Sequence, residues 1–154
     1  MKHSLSILFT IALLVCMGSS AFAQKGFSWT TYNIGVSMAA DTKVLENADN
    51  LFKSENSEMV YTMFIVDKSY ASSQDLLQAA KVLGADFGFD CNQELKDLTG
   101  VTFSGKYLLG THGAEKIVFA GLTDPAGTNL FAYVVLKNED KVEAALNVIN
   151  SLSK

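Results

Sequence analysis

The sequence predicts an α+β fold: one antiparallel sheet of about five to seven strands with helices packed on it, one of them C-terminal. Three observations predict it. Residues 116–123 and 129–137 are apolar stretches joined by Asp124-Pro125-Ala126-Gly127-Thr128. Residues 59–66, Met-Val-Tyr-Thr-Met-Phe-Ile-Val, are apolar on both faces. Two other stretches, one near the C-terminus, carry apolar residues at helical spacing. Consecutive strands with short turns pair antiparallel, and the helices then cover the sheet.

The elements follow in order. Phe27, Ser28, Trp29 and Thr30 alternate, which suits a short edge strand. Tyr32, Ile34, Val36 and Met38 alternate with Asn33, Gly35 and Ser37, a half-exposed strand with its apolar side inward. Residues 41–55 allow two readings. Val44, Leu45, Ala48, Leu51 and Phe52 share a helical face that Asp41 or Thr42 could cap. Equally, residues 50–53 form a strand turning back through Glu55-Asn56-Ser57. The preferred reading is a short helix or irregular segment, then a strand. Residues 59–66 form a central strand.

Ser72-Ser73-Gln74-Asp75 has capping-box character. Leu76, Leu77, Ala80 and Leu83 make the stripe of a helix, with Gly84 as its C-terminal glycine. Residues 92–98 read as one or two further helical turns, ending at Gly100. Val101, Phe103, Gly105, Tyr107 and Leu109 then alternate with Thr102, Ser104 and Lys106 as a strand leading into the hairpin.

In the hairpin, Asp124 suits the first turn position and Pro125, the single proline, presets φ at the second. Gly127 tolerates positive φ. Ile117, Phe119 and Gly121 alternate with Val118, Ala120 and Leu122, and neither set is polar. A sheet with one wet face would show polar residues at every second position, so both faces here are expected to be covered. Finally, Asn138 caps a helix over residues 139–152. Val142, Ala145, Leu146, Ile149 and Leu152 form its buried stripe, and Glu139 and Asp140 complement the dipole of its first turn.

The chain has 154 residues, a length for one domain. Lys2, the apolar run over residues 5–15 and Ala21-Phe22-Ala23 have the form of a secretory signal peptide cleaved between Ala23 and Gln24. The expected mature protein is a single α+β domain, residues 24–154, exported to the periplasm or the cell exterior. The apolar run is too short to span a bilayer. The alternative, a lipid-modified Cys16, conflicts with Val15, because that position takes a small residue.

Loss of Lys2 lowers the 12 lysines to 11 against 16 carboxylates, a net charge of −5, and the chain has no arginine. Nucleic-acid recognition leans on the guanidinium fork and a basic surface, so these numbers argue against such a partner. Cys91 is the single cysteine after cleavage, which excludes an internal disulfide framework. A domain of this size builds a core without disulfides or metal.

The strand Tyr32-Asn33-Ile34-Gly35-Val36-Ser37-Met38, the central strand 60–66 and the helix through Leu83 come in a telling order. They are followed by the meander 101–136 and by 142–152, ending Ile149-Asn150-Ser151-Leu152. This order resembles the PsbP/Mog1-like families of small exported or accessory proteins. Ala39-Ala40-Asp41 stand where those families usually place a proline. The resemblance implies a domain that binds or assists, often without catalysis, and it carries over no site residues.

Candidate chemistry is sparse. Cys91 as nucleophile would need His112, the one histidine left after cleavage, and a third orienting group; a buried apolar thiol is the plainer reading. Gly110-Thr111-His112-Gly113 has turn composition. Asp86, Asp90, Asn92 and Glu94, with Asp97 beyond, have the even spacing of calcium ligands, but Gly88 and Cys91 break the loop pattern. Asp86-Phe87-Gly88 matches a kinase tripeptide in spelling alone. Phe27, Trp29 and Tyr32 form either an aromatic platform or part of the core. Met38, Met59 and Met63 either line an adaptable pocket or fill the core.

No catalytic residue, metal site or cofactor is expected. The candidate ligand-binding residues are Trp29, Tyr32, Met38 and Met63. The first expectation is an exported, non-catalytic domain that binds a protein or envelope component. The second is a carrier of a small apolar ligand held between sheet and helices, and a Cys/His hydrolase ranks last.

Overall fold

A computed structural model describes residues 23–66, 72–86, 88–91 and 94–154, Leu83 without its side chain. The expected signal peptide through Phe22, with Cys16, lies outside the described residues, as do Phe87 and Asn92. The strands are β1 (Gln24–Trp29), β2 (Ile34–Ala39), β3 (Lys43–Asn47), β4 (Phe52–Glu55), β5 (Met59–Ile65), β6 (Lys96–Thr99), β7 (Ser104–His112), β8 (Glu115–Thr123) and β9 (Asn129–Leu136). The helices are α1 (Ser73–Asp86) between β5 and β6, and α2 (Val142–Asn150) after a 3-10 turn.

The architecture is α+β. Seven strands form an antiparallel sheet in the order β3-β4-β5-β9-β8-β7-β6, and β1 and β2 form a separate hairpin. The strands read as most apolar, β5, β8 and β9, are its interior. The hairpin turn is built as its residues suggest. Gly127, at φ 84°, donates its N–H to Asp124 O at 3.0 Å, and the Asp124 carboxylate accepts the Thr128 N–H at 2.7 Å.

Alternation sorts the strand residues onto two covered faces. On one, Tyr61, Met63, Val118, Ala120 and Val134 pack with Trp29, Ile34 and Val36 of the β1–β2 hairpin and Ala145 and Ile149 of α2. On the other, Leu108, Ile117, Phe119 and Phe131 pack with Leu77 of α1 and with Cys91. This is why residues 117–122 of β8 and 130–136 of β9 show no polar alternation.

The chain end is tied to the hairpin. Gly35 and Ser153 exchange backbone hydrogen bonds at 2.8 and 3.0 Å, and the Ser37 N–H donates to Ser151 Oγ at 2.8 Å. Asn138 caps as expected, its side chain accepting the Asp140 N–H at 3.1 Å.

Four expectations need correction. Residues 41–55 are not a helix or irregular segment followed by one strand: β3 and β4 pair as a hairpin. The apolar stripe suggested for a helix has nothing to bury Val44 and Leu45, which are 40% and 53% exposed on an edge strand. Phe52 and Ser54 are buried by the two-residue period of β4. Residues 96–99, read as helix, form edge strand β6 because Leu98 is buried by pairing along β7. Val101 is 76% exposed and precedes β7, which starts at Ser104 after a turn closed by the Gly100 N–H on Phe103 O. Gly84 lies inside α1 and does not end it.

The helix stops instead at a Schellman motif. Gly88, at φ 80°, donates to Ala85 O at 3.1 Å, and Phe89 donates to Gly84 O at 2.9 Å. Only glycine takes that positive φ without strain.

Candidate functional site

The site follows from how α1 sits on the sheet. Near its N-terminus, α1 approaches β8 closely: a Cβ at Gly121 would lie 3.0 Å from Leu77 Cγ and from Ser73 O. Further along, α1 presents small residues, Ala79, Ala80 and Gly84, and the described residues do not fill the space beneath them. A pocket of about 480 Å³ results. Its floor is Phe64 of β5, Phe119 of β8 and Phe131 and Tyr133 of β9, and its far end is Phe89 and His112. Leu76 and Val66 complete the described lining.

The rings form a continuous set. Centroids lie 4.9 Å apart for Phe64–Phe131, 5.5 Å for Phe119–Phe131 and 5.4 Å for the edge-on pair Phe89–Phe119. Tyr133 touches this set 6.0 Å from Phe119. Tilted and edge-on packing at these spacings is favourable and holds the rings in place. The Schellman turn aims Phe89 back onto α1, where a Cβ at Gly84 would lie 3.4 Å from its ring.

Side-chain polar atoms enter the described lining from two residues only. Tyr133 brings a phenol. His112 is the exposed last residue of β7, its ring 5.0 Å from Phe89 and edge-on to it, and it pairs across the strands with Glu115. Apolar walls with a few polar groups at one end are the composition of a small-molecule site. Thr62, buried and paired across the sheet with Tyr133, leaves its hydroxyl without a hydrogen-bond partner.

The residues singled out from the sequence are distributed otherwise. Trp29 is fully buried, donates Nε1–H to Ala48 O at 2.6 Å, and packs edge-on with Tyr32 at 4.7 Å. Met63 is buried beside the Tyr61 hydroxyl, which donates to its Sδ at 3.4 Å. Met38 accepts the Ser54 hydroxyl at 3.2 Å. Met38 and Met59 also line a second hollow of about 380 Å³, where Asp41, Asn56, Glu58 and Asn147 add polar groups to a mostly apolar wall. All four candidate ligand-binding residues thus belong to the opposite face from the aromatic pocket.

Cys91 is buried against β7. A Cβ at Gly110 would meet its Sγ at 3.0 Å and Asp90 O at 2.6 Å, so glycine there permits the close approach. Burial pushes the Cys91 thiol pKa up, Asp90 adds to the rise, and Lys81 opposes it. A nucleophilic cysteine needs the opposite shift. His112 sits at a strand end beside a two-residue turn, close to its expected turn position. Of the acidic set, Asp86 ends α1, Asp90 bridges to Thr111, and Asp97 pairs with Lys106 at 2.6 Å. Among the described residues, no three His, Cys, Asp or Glu side chains gather as a metal site.

The residues that make the pocket, Phe64, Phe89, Phe119, Phe131, Tyr133 and Gly84, escape sequence reasoning. The available signal was aromatic bias at alternate positions, Phe131 and Tyr133 on one strand and Phe119 on its neighbour. No protein-family profile and no curated protein sequence matches the chain.

Proposed function

We propose that this chain is an exported, non-catalytic binding domain that carries a small apolar ligand in the aromatic pocket beneath α1. One observation carries the reading. A space of about 480 Å³, walled by aromatic rings, lies between α1 and the sheet. Its volume falls within the roughly 300–1,000 Å³ range of small-molecule sites. The small–x–x–x–small run Ala80 to Gly84 keeps it open. The PsbP/Mog1-like order of elements supports an accessory role, and the signal-like N-terminus supports export.

Native mass spectrometry of protein purified from its own cell envelope tests the reading. The expected result is a chain beginning at Gln24 with a small molecule retained. Ala80→Phe, which fills the pocket from the helix side, should lose that molecule. A bare mass for both proteins would overturn the carrier reading.

A second reading, binding to a protein or envelope component, is favoured by edge strand β3. It exposes Val44 and Leu45 beside an unpaired strand edge. Exposed edges recruit extended segments of partners. Loss of a defined complex in Leu45→Lys, with the pocket ligand retained, would favour it.

A further inference from the structure

We infer that the pocket selects a neutral aromatic molecule with a single hydrogen-bonding group, its ring lying among Phe119, Phe131 and Phe89 and its polar group at His112. The inference rests on the carrier reading above and adds the class of ligand. Three features carry it.

The first is the wall. Rings already packed at 4.9 to 5.5 Å present faces and edges at fixed angles. Such a surface favours another ring over a flexible chain, which would lose rotamer freedom on binding.

The second is charge. No lysine lines the pocket among the described residues, and the chain has no arginine. Lys81 on α1 acts on Cys91 and is not a lining residue. The charged group placed beside His112 by strand pairing is Glu115, and Asp86 and Asp90 flank Gly88, whose Cβ position is 3.8 Å from the His112 ring. A carboxylate or sulfonate would enter beside Glu115 and Asp86 with no cation among the described lining residues to meet it. A neutral hydroxyl or carbonyl meets an imidazole that offers one donor and one acceptor. No hydrogen bond within the described residues occupies either His112 nitrogen.

The third is Gly84. Glycine inside a helix is unfavourable relative to alanine. Here a Cβ would fit, in ordinary contact at 3.4 Å from Phe89. Backbone geometry does not demand glycine at this position, since the positive φ belongs to Gly88. What the missing methyl provides is width in the pocket.

Calorimetric titration of the purified protein with 1-naphthol, naphthalene, naphthalene-1-sulfonate and decanoate tests the inference. 1-Naphthol should bind at least about tenfold tighter than either anion. His112→Ala should weaken 1-naphthol about tenfold, the scale of one hydrogen bond, and leave naphthalene unchanged. Gly84→Leu should abolish binding of both neutral rings. Gly84→Ala, whose methyl fits, should weaken them by a smaller factor in a protein that still folds. Decanoate or the sulfonate binding as tightly as 1-naphthol, with the same loss in Gly84→Ala, would overturn the ligand class and leave the carrier reading standing. Silence from all four probes at millimolar concentration would overturn both.

Discussion

The two faces of the seven-stranded sheet start from similar material and end differently. Both take alternate apolar residues from β5, β8 and β9. One face has two covers, the β1–β2 hairpin with Trp29, Ile34 and Val36, and α2 with Ala145, Ile149 and the following Leu152, and keeps a smaller hollow at Met38 and Met59. The other is covered by α1, which is well seated at Leu76 and Leu77 but offers Ala79, Ala80 and Gly84 further on. The strands do not decide which face holds the aromatic pocket. The size of the residues laid over them does, because a gap forms wherever a cover lacks the volume to reach the sheet.

That contrast can be broken by truncation. Phe52→Ala removes a fully buried ring from the face under the β1–β2 hairpin and α2, and should cost about 3–5 kcal/mol in urea unfolding. Phe89→Ala removes a half-buried ring that already borders open space, and should cost less than half as much. Equal losses would mean the pocket face is packed as tightly as the other.

Next in size is the anchor of the C-terminus. Asp124 is buried, accepts the Thr128 N–H, and receives Lys154 Nζ at 2.8 Å. Burial alone would raise its pKa, but Lys154 and the Thr128 N–H and hydroxyl outweigh it and hold the carboxyl below the usual aspartate range. A folded value below the unfolded one, about 3.9, means the carboxylate stabilises the fold above that pH. The contribution is lost as pH falls through the lower folded value. Asp124→Asn should therefore cost about 1–3 kcal/mol at neutral pH and flatten the acid limb of the stability profile below about pH 4. An unchanged acid limb would show that other carboxylates govern it.

On the pocket face, two changes should stabilise. Thr62→Val replaces a buried hydroxyl that has no hydrogen-bond partner, and should gain about 1 kcal/mol. Gly84→Ala should gain up to about 1 kcal/mol from helix propensity. Stability gained with ligand lost would be the signature of a position kept small for function. The smallest effect belongs to the surface pair Lys106–Asp97, where Asp97 is 84% exposed. Asp97→Asn should change stability by less than about 0.5 kcal/mol in thermal unfolding.

Much of the fold was legible because it is written locally. The Asp124-Pro125 turn, the doubly apolar β8 and β9, the helix from Ser73 and the Asn138 cap each depend on neighbours within a few residues. Residues 41–55 failed because Val44, Leu45, Leu51 and Phe52 satisfy a helical period although they lie on and beside two paired strands. Pairing of β4 with β5 settled the matter, and it needs a partner from elsewhere in the chain. Gly84 was misjudged for a related reason: the glycine that ends α1 is Gly88, and the difference lies in φ, which spelling does not carry.

The candidate site was less legible. Trp29, Tyr32, Met38 and Met63 drew attention as aromatic or adaptable residues, and three of them are buried in the core of the opposite face. By itself, the sequence determined the class of fold, the central hairpin, both helices and the apolar character of both sheet faces, since periodicity and turn chemistry act over a few residues. Only the tertiary structure decided that Phe64, Phe89, Phe119, Phe131 and Tyr133 converge under a helix of small residues. A cavity is a property of the distance between elements, and that distance is set by side chains far apart in sequence.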